Sequence, residues 1–317
     1  MKNQSLPYFS YNSYMQKLFQ KRVYKVSIDG GFSCPNRDGT KSFRGCIFCD
    51  AKGSSSRTHP AFTPIKEQVI KNVAVRKSRY KAEKFIAYFQ SFTNTYAPLE
   101  TLKKRYDEAL AAHPDIIGLT ISTRPDCIDE EKIKLIASYQ AKVPYVSIEY
   151  GMQTIHDKTL KLINRQETHA DFLKALKLAQ KYKLHHCAHV ILNLPGETKE
   201  DMLATAEELG HLNIEGVKIH LLVAMKGTEL AKLVLKGSWQ SFSLKEYVQL
   251  ACDFIERLPP QMIIHRISKN GHPQEIIHPL WMKDKKAEFM PALLKEFAQR
   301  KTCQGALYRS NRPMSSK

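Results

Sequence analysis

The sequence lacks any long apolar run. No stretch approaches the roughly 18 residues that a helix needs to cross a bilayer, so no membrane span is predicted. The N-terminal segment MKNQSLPYFSYNSYMQ also lacks the apolar core of a secretory signal peptide. We therefore expect a cytoplasmic protein that does not enter a membrane.

Acidic residues are few beside the basic ones. The chain of 317 residues has 49 Lys and Arg but only 31 Asp and Glu, which gives a formal net charge of +18. A strongly basic surface attracts polyanions, and nucleic acid is the first candidate. The alternative is that the lysines only solubilise the surface. A membrane surface is less expected, because no helix candidate pairs a basic face with an exposed stripe of Trp and Phe.

Cysteines are scarce outside one short segment. Three of the seven lie between positions 34 and 49, and the other four are scattered at Cys127, Cys187, Cys252 and Cys303. A reducing compartment disfavours a disulfide framework, so the clustered cysteines indicate metal binding or catalysis. The scattered cysteines form no Cys-x2-Cys pair and are expected to be core thiols or free surface thiols.

Short apolar runs alternate with amphipathic runs of helix length along most of the chain. Continuous apolar runs are typical of parallel strands that are covered on both faces. The predicted strands are residues 24–28, 84–90, 116–122, 145–150, 186–193, 216–222 and 262–267. The predicted helices are residues 65–80, 99–112, 129–140, 170–182, 200–211 and 244–258. Six or seven such units predict an α/β protein, either a (βα) barrel or an open doubly wound sheet.

The alternation stops near the C-terminus. Residues 15–268 carry the β–α units and are predicted to form the barrel, whereas residues 269–317 break the pattern and are rich in Lys and Arg. We expect this basic extension to lie over the barrel or to contact a partner. In a (βα) barrel the functional residues follow the C-terminal ends of the strands. Polar or cysteine-bearing segments follow the first five predicted strands, in agreement with that rule.

The segment after the first predicted strand, residues 29–50, reads DGGFSCPNRDGTKSFRGCIFCD. Its spacing is Cys-x11-Cys-x2-Cys, and its glycines allow a long loop to fold tightly around an inorganic core. The thiolates of Cys34, Cys46 and Cys49 could hold three irons of a cubane cluster and leave the fourth iron open. The alternative is structural zinc, which needs a fourth Cys or His, and His59 is the nearest candidate. Because only one Cys-x2-Cys pair is present, the spacing favours iron–sulfur.

This loop resembles the three-cysteine motif of the radical S-adenosylmethionine (SAM) superfamily, in the lengthened form of the branch that includes the Elongator catalytic subunit. Further segments resemble that branch in the same order: STRPD at 122–126, SIEYGMQT at 147–154, INR at 163–165, ILNLPGET at 191–198, and residues 218–230. The resemblance covers roughly residues 15–270 and implies a partial (βα)6-type TIM barrel of the radical SAM kind with a basic C-terminal extension. The chain departs from the pattern at His189, where related enzymes often have Asp, and we expect no acetyltransferase domain.

The resemblance implies two cofactors, a [4Fe-4S] cluster on the three loop cysteines and SAM bound to the open iron. It also implies an external one-electron donor such as flavodoxin or ferredoxin. Two motif positions also have purely structural alternatives. His189 could be a core histidine, and Arg165 could pair with Glu149 or Glu167. The motifs also imply contacts to SAM. Thr93 and Asn94 would contact the methionine amino group, and Ser122, Gln153 and Arg165 would contact the carboxylate and ribose. His189 and the backbone near Val223 would contact the ribose and adenine.

Within that branch the chain is similar to a short bacterial subgroup without extra domains, which implies a tRNA substrate. The implied reaction converts 5-carboxymethylaminomethyl-(2-thio)uridine at the wobble position to 5-aminomethyl-(2-thio)uridine through a 5′-deoxyadenosyl radical. A separate methyltransferase would act on the product. Two alternatives stay open: a radical SAM enzyme that acts on a small metabolite, and a zinc-dependent RNA-binding protein.

The RNA hypothesis assigns separate roles to the barrel mouth and to the basic extension. Arg124 is a candidate for the substrate carboxylate. Tyr96, Tyr150 and Trp281 are candidates to stack on a base that is splayed out of the RNA. The residues expected to hold phosphates are Lys283, Lys285, Lys286, Lys295, Arg300, Lys301, Arg309 and Arg312.

Overall fold

The strands of the protein form a curled parallel sheet. The computed structural model describes residues 6–51, 53, 63–268 and 273–309. Its strands are β1 (Val23–Ile28), β2 (Lys84–Phe89), β3 (Ile116–Thr123), β4 (Tyr145–Gln153), β5 (His185–Leu192), β6 (Gly216–Leu221), β7 (Ala224–Met225), β8 (Ile263–Arg266) and β9 (Ile276–His278). The main sheet has the order β1-β2-β3-β4-β5-β6-β8 with every pair parallel, and β7 and β9 form a separate antiparallel pair.

Most helices return the chain between the parallel strands, and the others precede β1 or follow β8. They are α1 (Tyr11–Phe19), α2 (Ile65–Tyr80), α3 (Leu99–Ala111), α4 (Glu130–Ser138), α5 (Asp157–Leu162), α6 (His169–Lys181), α7 (Lys199–His211), α8 (Glu229–Leu235), α9 (Leu244–Glu256), α10 (Trp281–Asp284) and α11 (Phe289–Arg300). No helix in the described residues combines the length and apolar character that a bilayer crossing requires.

Strand β4 shows how the two faces of the sheet differ. All of its residues are buried. Ile148 and Tyr150 belong to the main hydrophobic core between sheet and helices. The alternate residues Ser147, Glu149 and Gln153 make polar contacts inside the barrel or line its cavity. The barrel interior is therefore polar where a closed barrel of this size would be filled with apolar side chains.

The sheet is open between β1 and β8, and α1 covers part of that opening. The chain before the helix bridges to β8, where Ser10 pairs with Ile264. Met15 of the helix is fully buried and packs with Val23 and Tyr145 in a small apolar cluster. The open edge is thus protected without an eighth paired strand, which leaves the barrel partial.

Residues 273–309 pack on the barrel. Strand β9 pairs with β7, and Phe289, Leu293 and Phe297 of α11 are buried in the main core beside α9. This arrangement agrees with one of the two expectations for the basic extension, which was to lie over the barrel. The domain boundary at residue 268 stays a prediction.

The predicted fold class, an α/β partial (βα) barrel, is confirmed, with one parallel strand more than a (βα)6 arrangement. Every predicted strand and helix is present, with ends that shift by up to three residues. The helix predicted at 129–140 ends earlier, because α4 stops at Ser138 and a short 3-10 turn follows. Sequence patterning missed α1, α5, α8, α10, α11 and the β7–β9 pair, most of which are short.

A capping interaction at the start of α7 gives a test of the fold. Thr198 and Asp201 form a reciprocal capping box at the start of α7. Thr198→Ala removes the side-chain acceptor and should lower the free energy of unfolding by about 1 kcal/mol, whereas Thr198→Ser keeps it and should lower it by less than half as much. Urea unfolding of both variants checks this, and equal losses would contradict the capping role.

Candidate active site at the mouth of the barrel

The loop after β1 brings the three predicted cysteine ligands to the C-terminal ends of the strands. Cys34 and Cys49 are half-buried and Cys46 is buried. A tight turn joins two of them, since the backbone N–H of Cys49 donates to the carbonyl of Cys46 at 2.9 Å. The side-chain amide of Asn164 donates to the carbonyl of Gly45 at 2.7 Å. The loop is therefore tied to the barrel next to the cysteines.

Hydrogen-bond donors surround the sulfur atom of Cys46. Nδ2 of Asn36 lies 3.5 Å from this sulfur and Nη1 of Arg165 lies 3.7 Å from it. Such donors stabilise a thiolate, which is the form that binds metal. Burial raises the pKa of the Cys49 thiol, the neighbouring Cys46 raises it further, and the Arg37 guanidinium opposes the rise. The two sulfur atoms are thus close enough to interact electrostatically.

The ligand set favours a cluster over a single zinc ion. The three loop cysteines line one cavity, whereas a structural zinc ion needs four Cys or His ligands. Three thiolates suit a polynuclear cluster in which each thiolate binds a different iron. His59, the candidate fourth zinc ligand, lies outside the described residues. The described loop therefore fits an iron–sulfur cluster better than structural zinc.

Two buried arginines lie beside the cysteine loop and share one carboxylate. Nε of Arg165 donates to Glu167 at 2.5 Å, and its Nη2 donates to the carbonyl of Gly151 at 2.8 Å. Arg124 donates to both oxygens of Asp126 at 2.8 and 2.7 Å, and its Nη2 lies 3.0 Å from Glu167. Burial raises the pKa of Glu167 to about 7 against the opposing effect of both guanidiniums. Arg165 therefore pairs with Glu167, one of the two carboxylates considered for it.

A cavity of about 180 Å³ opens beside the cysteine loop. Asn94 does not line it, because its side-chain amide donates to the carbonyl of Ser122 at 2.7 Å. Arg124 lines the cavity, and its Nη1 is buried with no hydrogen-bond partner among the described groups. The predicted SAM contacts that line the cavity with the three cysteines are Thr93, Ser122, Gln153, Arg165, His189 and Val223.

Two non-glycine residues at the cavity have left-handed backbone conformations. Phe92, just after β2, has a φ of 60°, and Gln153, at the end of β4, has a φ of 69°. Such strain persists where the surrounding structure enforces it, and it concentrates at functional sites. A Cβ atom at Gly53 would lie 2.5 Å from the Phe92 ring, so the cysteine loop approaches the strand end too closely for any other residue.

The floor of the cavity is a buried charge cluster centred on Glu149 of β4. Nζ of Lys218 lies 2.5 Å and Nε2 of His189 lies 2.7 Å from Oε2 of Glu149. The hydroxyl of Tyr88 donates to the same oxygen at 2.9 Å, and Lys25 pairs with Oε1. The cluster joins side chains of β1, β2, β4, β5 and β6 inside the barrel.

Burial and neighbouring charge determine the protonation of this cluster. Burial lowers the pKa of Lys218 to about 8, that of His189 to about 4 and that of His265 to about 3, and nearby lysines add to each decrease. Burial alone would raise the pKa of Glu149, but Lys218 and Lys25 outweigh it and hold that pKa well below its usual range. At pH 7 both histidines are neutral, so two ammonium groups surround one carboxylate.

Tyr88, Lys218 and Arg266 line the cavity but were not predicted as site residues from the sequence. The available signal was a lysine inside the otherwise apolar run GVKIHL, which forms β6. A charged residue in a doubly covered strand needs a buried partner, and only the assembled barrel identifies it. His189 is not an isolated core histidine, since it both contacts Glu149 and lines the cavity.

Two of the three aromatic candidates for base stacking belong to the core. Tyr150 is fully buried, and its hydroxyl donates to the carbonyl of Ala175 at 3.1 Å. Trp281 stacks on Tyr247, with ring centroids 6.1 Å apart. Neither ring is therefore available to a nucleotide base. Tyr96 is half-buried beside the cysteine loop and remains a candidate.

Comparison with known families identifies the class of protein. The model "Radical SAM superfamily" matches residues 39–209, and the model "Radical_SAM C-terminal domain" matches residues 214–297. The first match alone covers more than half of the chain, so the protein belongs to the radical SAM superfamily. Members of this superfamily are enzymes that use a [4Fe-4S] cluster and SAM.

Individual relatives refine this placement. The chain is 39% identical to protein YtqA of Bacillus subtilis over 305 residues, which cover 95% of this chain and 92% of that protein. It is 26% identical to the tRNA uridine(34) acetyltransferase of Methanocaldococcus jannaschii over 157 residues, which cover 49% of this chain and 28% of that protein. These matches confirm the predicted resemblance to the Elongator-like branch.

A solved structure shares the fold. The archaeal Elp3 of Methanocaldococcus infernus with an N-terminal deletion aligns with a TM-score of 0.70 and 17% sequence identity. The alignment covers 90% of this chain and 64% of that chain. Strand order and barrel architecture are thus shared, although little of the sequence is.

The buried histidines predict a specific loss of stability in acid. The folded-state pKa values of His189 and His265, about 4 and about 3, lie below the value of about 6.5 for an unfolded histidine. Between these values the unfolded chain binds more protons, so the free energy of unfolding falls as the pH falls from 6.5 towards 4. His265→Gln should therefore lose less thermal stability than wild type between pH 7 and pH 5.

The measurement is the midpoint of thermal unfolding at both pH values. His211→Gln is the matched control, because His211 is exposed on α7 and should leave the pH dependence as in wild type. An unchanged pH dependence in His265→Gln would contradict the assignment.

Proposed function

We propose that the protein is a cytoplasmic radical SAM enzyme in which Cys34, Cys46 and Cys49 bind the [4Fe-4S] cluster. The observation that carries this proposal is the cavity lined by all three cysteines together with most of the residues predicted to contact SAM. When bound and reduced, the cluster supplies the electron that splits SAM into methionine and a 5′-deoxyadenosyl radical.

We infer that SAM occupies the cavity along the predicted contacts. Arg165 is oriented by its ion pair and would hold the SAM carboxylate. Thr93 would accept a hydrogen bond from the amino group, and Ser122 and Gln153 would contact the ribose and carboxylate. Asn94 is better described as a positioning residue, because its amide ties the loop after β2 to the end of β3. The ribose and adenine would lie near His189 and Val223.

We propose tRNA as the substrate class. One relative is named as a tRNA uridine(34) acetyltransferase, and the chain shares a fold with an archaeal Elp3. The net charge of +18 is independent support, because a basic protein gains affinity for RNA by releasing counterions from the phosphates. Binding should therefore weaken steeply as the salt concentration rises.

The basic residues of the C-terminal segment lie at two ends of the barrel. Lys286 lies on the cavity side, where burial and the nearby charge of Arg266 lower its pKa. At the other end, Gln304 donates to the carbonyl of Met262, directly before β8, at 2.8 Å. Arg312 lies outside the described residues. Lys301 and Arg309 are exposed and are close to Gln304 in the sequence.

Two arginines that the sequence assigned to RNA binding are already ion-paired. Arg300 contacts Asp253 through Nη1 at 2.5 Å. Arg124, the candidate for the substrate carboxylate, pairs with Asp126 and Glu167. Phosphate binding is therefore better assigned to lysines on the cavity side, such as Lys286, and the substrate carboxylate needs another partner.

We propose 5-carboxymethylaminomethyl-(2-thio)uridine at the wobble position as the reacting nucleoside. The methylene between its nitrogen and carboxylate has a weakened C–H bond, and that hydrogen would pass to the 5′-deoxyadenosyl radical to give 5′-deoxyadenosine. Loss of one electron from the carbon radical, to a one-electron acceptor such as the oxidised cluster, would give an imine. Its hydrolysis by water would break the N–C bond and release glyoxylate and 5-aminomethyl-(2-thio)uridine, which a separate methyltransferase would methylate. Flavodoxin or ferredoxin is the expected electron donor.

Loss of any loop cysteine should remove the cluster. After anaerobic reconstitution, Cys34→Ala, Cys46→Ala and Cys49→Ala should each lose the visible absorption of the cluster, and SAM cleavage should fall more than about tenfold. Iron content, absorption and 5′-deoxyadenosine formation are the measurements. Cys303→Ala is the control, because that cysteine is exposed and far from the loop in sequence. Full iron content in a loop variant would contradict the assignment.

Deletion of the gene should change the nucleosides of total tRNA. We expect 5-carboxymethylaminomethyl-(2-thio)uridine to accumulate and its aminomethyl and methylaminomethyl products to disappear, because the proposed reaction links them. Mass spectrometry of digested tRNA measures these nucleosides. The wild-type gene should restore the products, whereas a Cys46→Ala gene should not. An unchanged profile would rule out this tRNA reaction and direct attention to small-molecule substrates.

A further inference from the structure

The last two strands of the barrel bring two cations next to each other. Lys218 of β6 and Arg266 of β8 are partners in the parallel register. Both side chains line the cavity. Arg266 is the final residue of β8, and in barrels of this type the functional residues lie at the C-terminal ends of strands. A guanidinium is therefore presented at the cavity from the open edge of the sheet.

Arg266 has no acidic partner. Among the described residues its side chain forms neither a hydrogen bond nor an ion pair, whereas Lys25 and Lys218 both contact Glu149. The segments outside the described residues contain no Asp or Glu. Three cations thus face one carboxylate in this part of the barrel, and the positive charge of Arg266 is left uncompensated.

Further positive charge lies around Arg266. Its charge is close enough to affect Lys218 and Lys286, each of which has a pKa lowered by burial and then by neighbouring cations. The nearby side chains of His189 and His265 carry no negative charge that could compensate the positive charge of Arg266. Like charges held together beside a cavity are stabilised by an anion from outside the chain. The planar guanidinium suits a carboxylate, which it can bind through two parallel hydrogen bonds.

We propose that Arg266 binds the carboxylate of the carboxymethylamino group of the substrate. This inference rests on the proposed function, which supplies that group. Arg266 fills the role for which the sequence suggested Arg124, whose guanidinium is held by Asp126 and Glu167. It would act as a specificity residue that distinguishes an acidic side chain of the nucleoside from a neutral one.

The position of Arg266 separates it from the proposed carboxylate site of SAM. Thr93, Ser122 and Arg165 follow or end β2, β3 and β4, in the middle of the sheet. Arg266 is on β8, at one edge of the sheet and three strands away from β4. A cofactor held at the middle strands leaves the β8 side of the cavity for the substrate.

The test compares two anticodon stem-loop RNAs with the reconstituted enzyme. One carries 5-carboxymethylaminomethyl-2-thiouridine, and the other carries the same nucleoside with its carboxylate replaced by a primary amide. Wild type should convert the acid with a kcat/KM about 10- to 100-fold above that of the amide, because a charge-assisted hydrogen-bond pair is lost with the amide. Arg266→Gln should lose that preference by slowing the acid alone, and Arg266→Lys should retain part of it.

The controls separate the possible failures. Arg257→Gln removes a charge that pairs with Glu207 on the outer helices and should keep the preference of wild type. Arg266→Gln should bind SAM within about twofold of wild type and unfold at the same temperature. Weakened SAM binding would mean that Arg266 serves the cofactor carboxylate, and it would overturn the proposal. A retained preference for the acid in Arg266→Gln would overturn it as well, whereas conversion of neither RNA by wild type would reject the proposed function itself.

Discussion

The buried carboxylate of Glu149 is the interaction on which the barrel interior depends. A charge removed from water is costly by several kcal/mol unless it is paired and hydrogen-bonded, and Glu149 meets this condition with partners from the strands around it. Lys25 is on β1 and His265 is on β8, the two edges of the open sheet, and their nitrogen atoms lie 3.4 Å apart beside the carboxylate. The cluster therefore joins two strands that share no ladder hydrogen bonds.

The pairing of Glu149 with its partners also determines the geometry of the cavity above it. The strands that hold the cluster end at the cavity, so their C-terminal residues are held in fixed relative positions. On one side the cysteine loop is anchored by Asn164 and by the ion-paired Arg165, and on the other side Arg266 carries an uncompensated charge. The cavity is thus electrostatically asymmetric. Such an arrangement can bind a cofactor and an anionic substrate at different ends and hold both in place.

Local patterns in the chain were sufficient for much of the fold. The apolar runs identified every strand of the main sheet, and the cysteine spacing identified the loop that lines the cavity. Elements with little local signal were missed, such as α5, which has six residues, and β7, which has two. Asn94 shows the limit at the site, because a motif places a residue near the cavity but does not say which way its side chain turns.

What the sequence alone determined is the class of the protein: its β–α order, its cysteine loop and its membership of the radical SAM superfamily, because each depends on residues close together in the chain. Tertiary structure decided which charged groups are paired. Lys25 and Glu149 are 124 residues apart, and Lys218 and Glu149 are 69 apart. Arg124 and Arg266 are the same type of residue, yet Arg124 is ion-paired and Arg266 is not. The reason is that charge compensation depends on distance in space, which only the curled arrangement of strands defines.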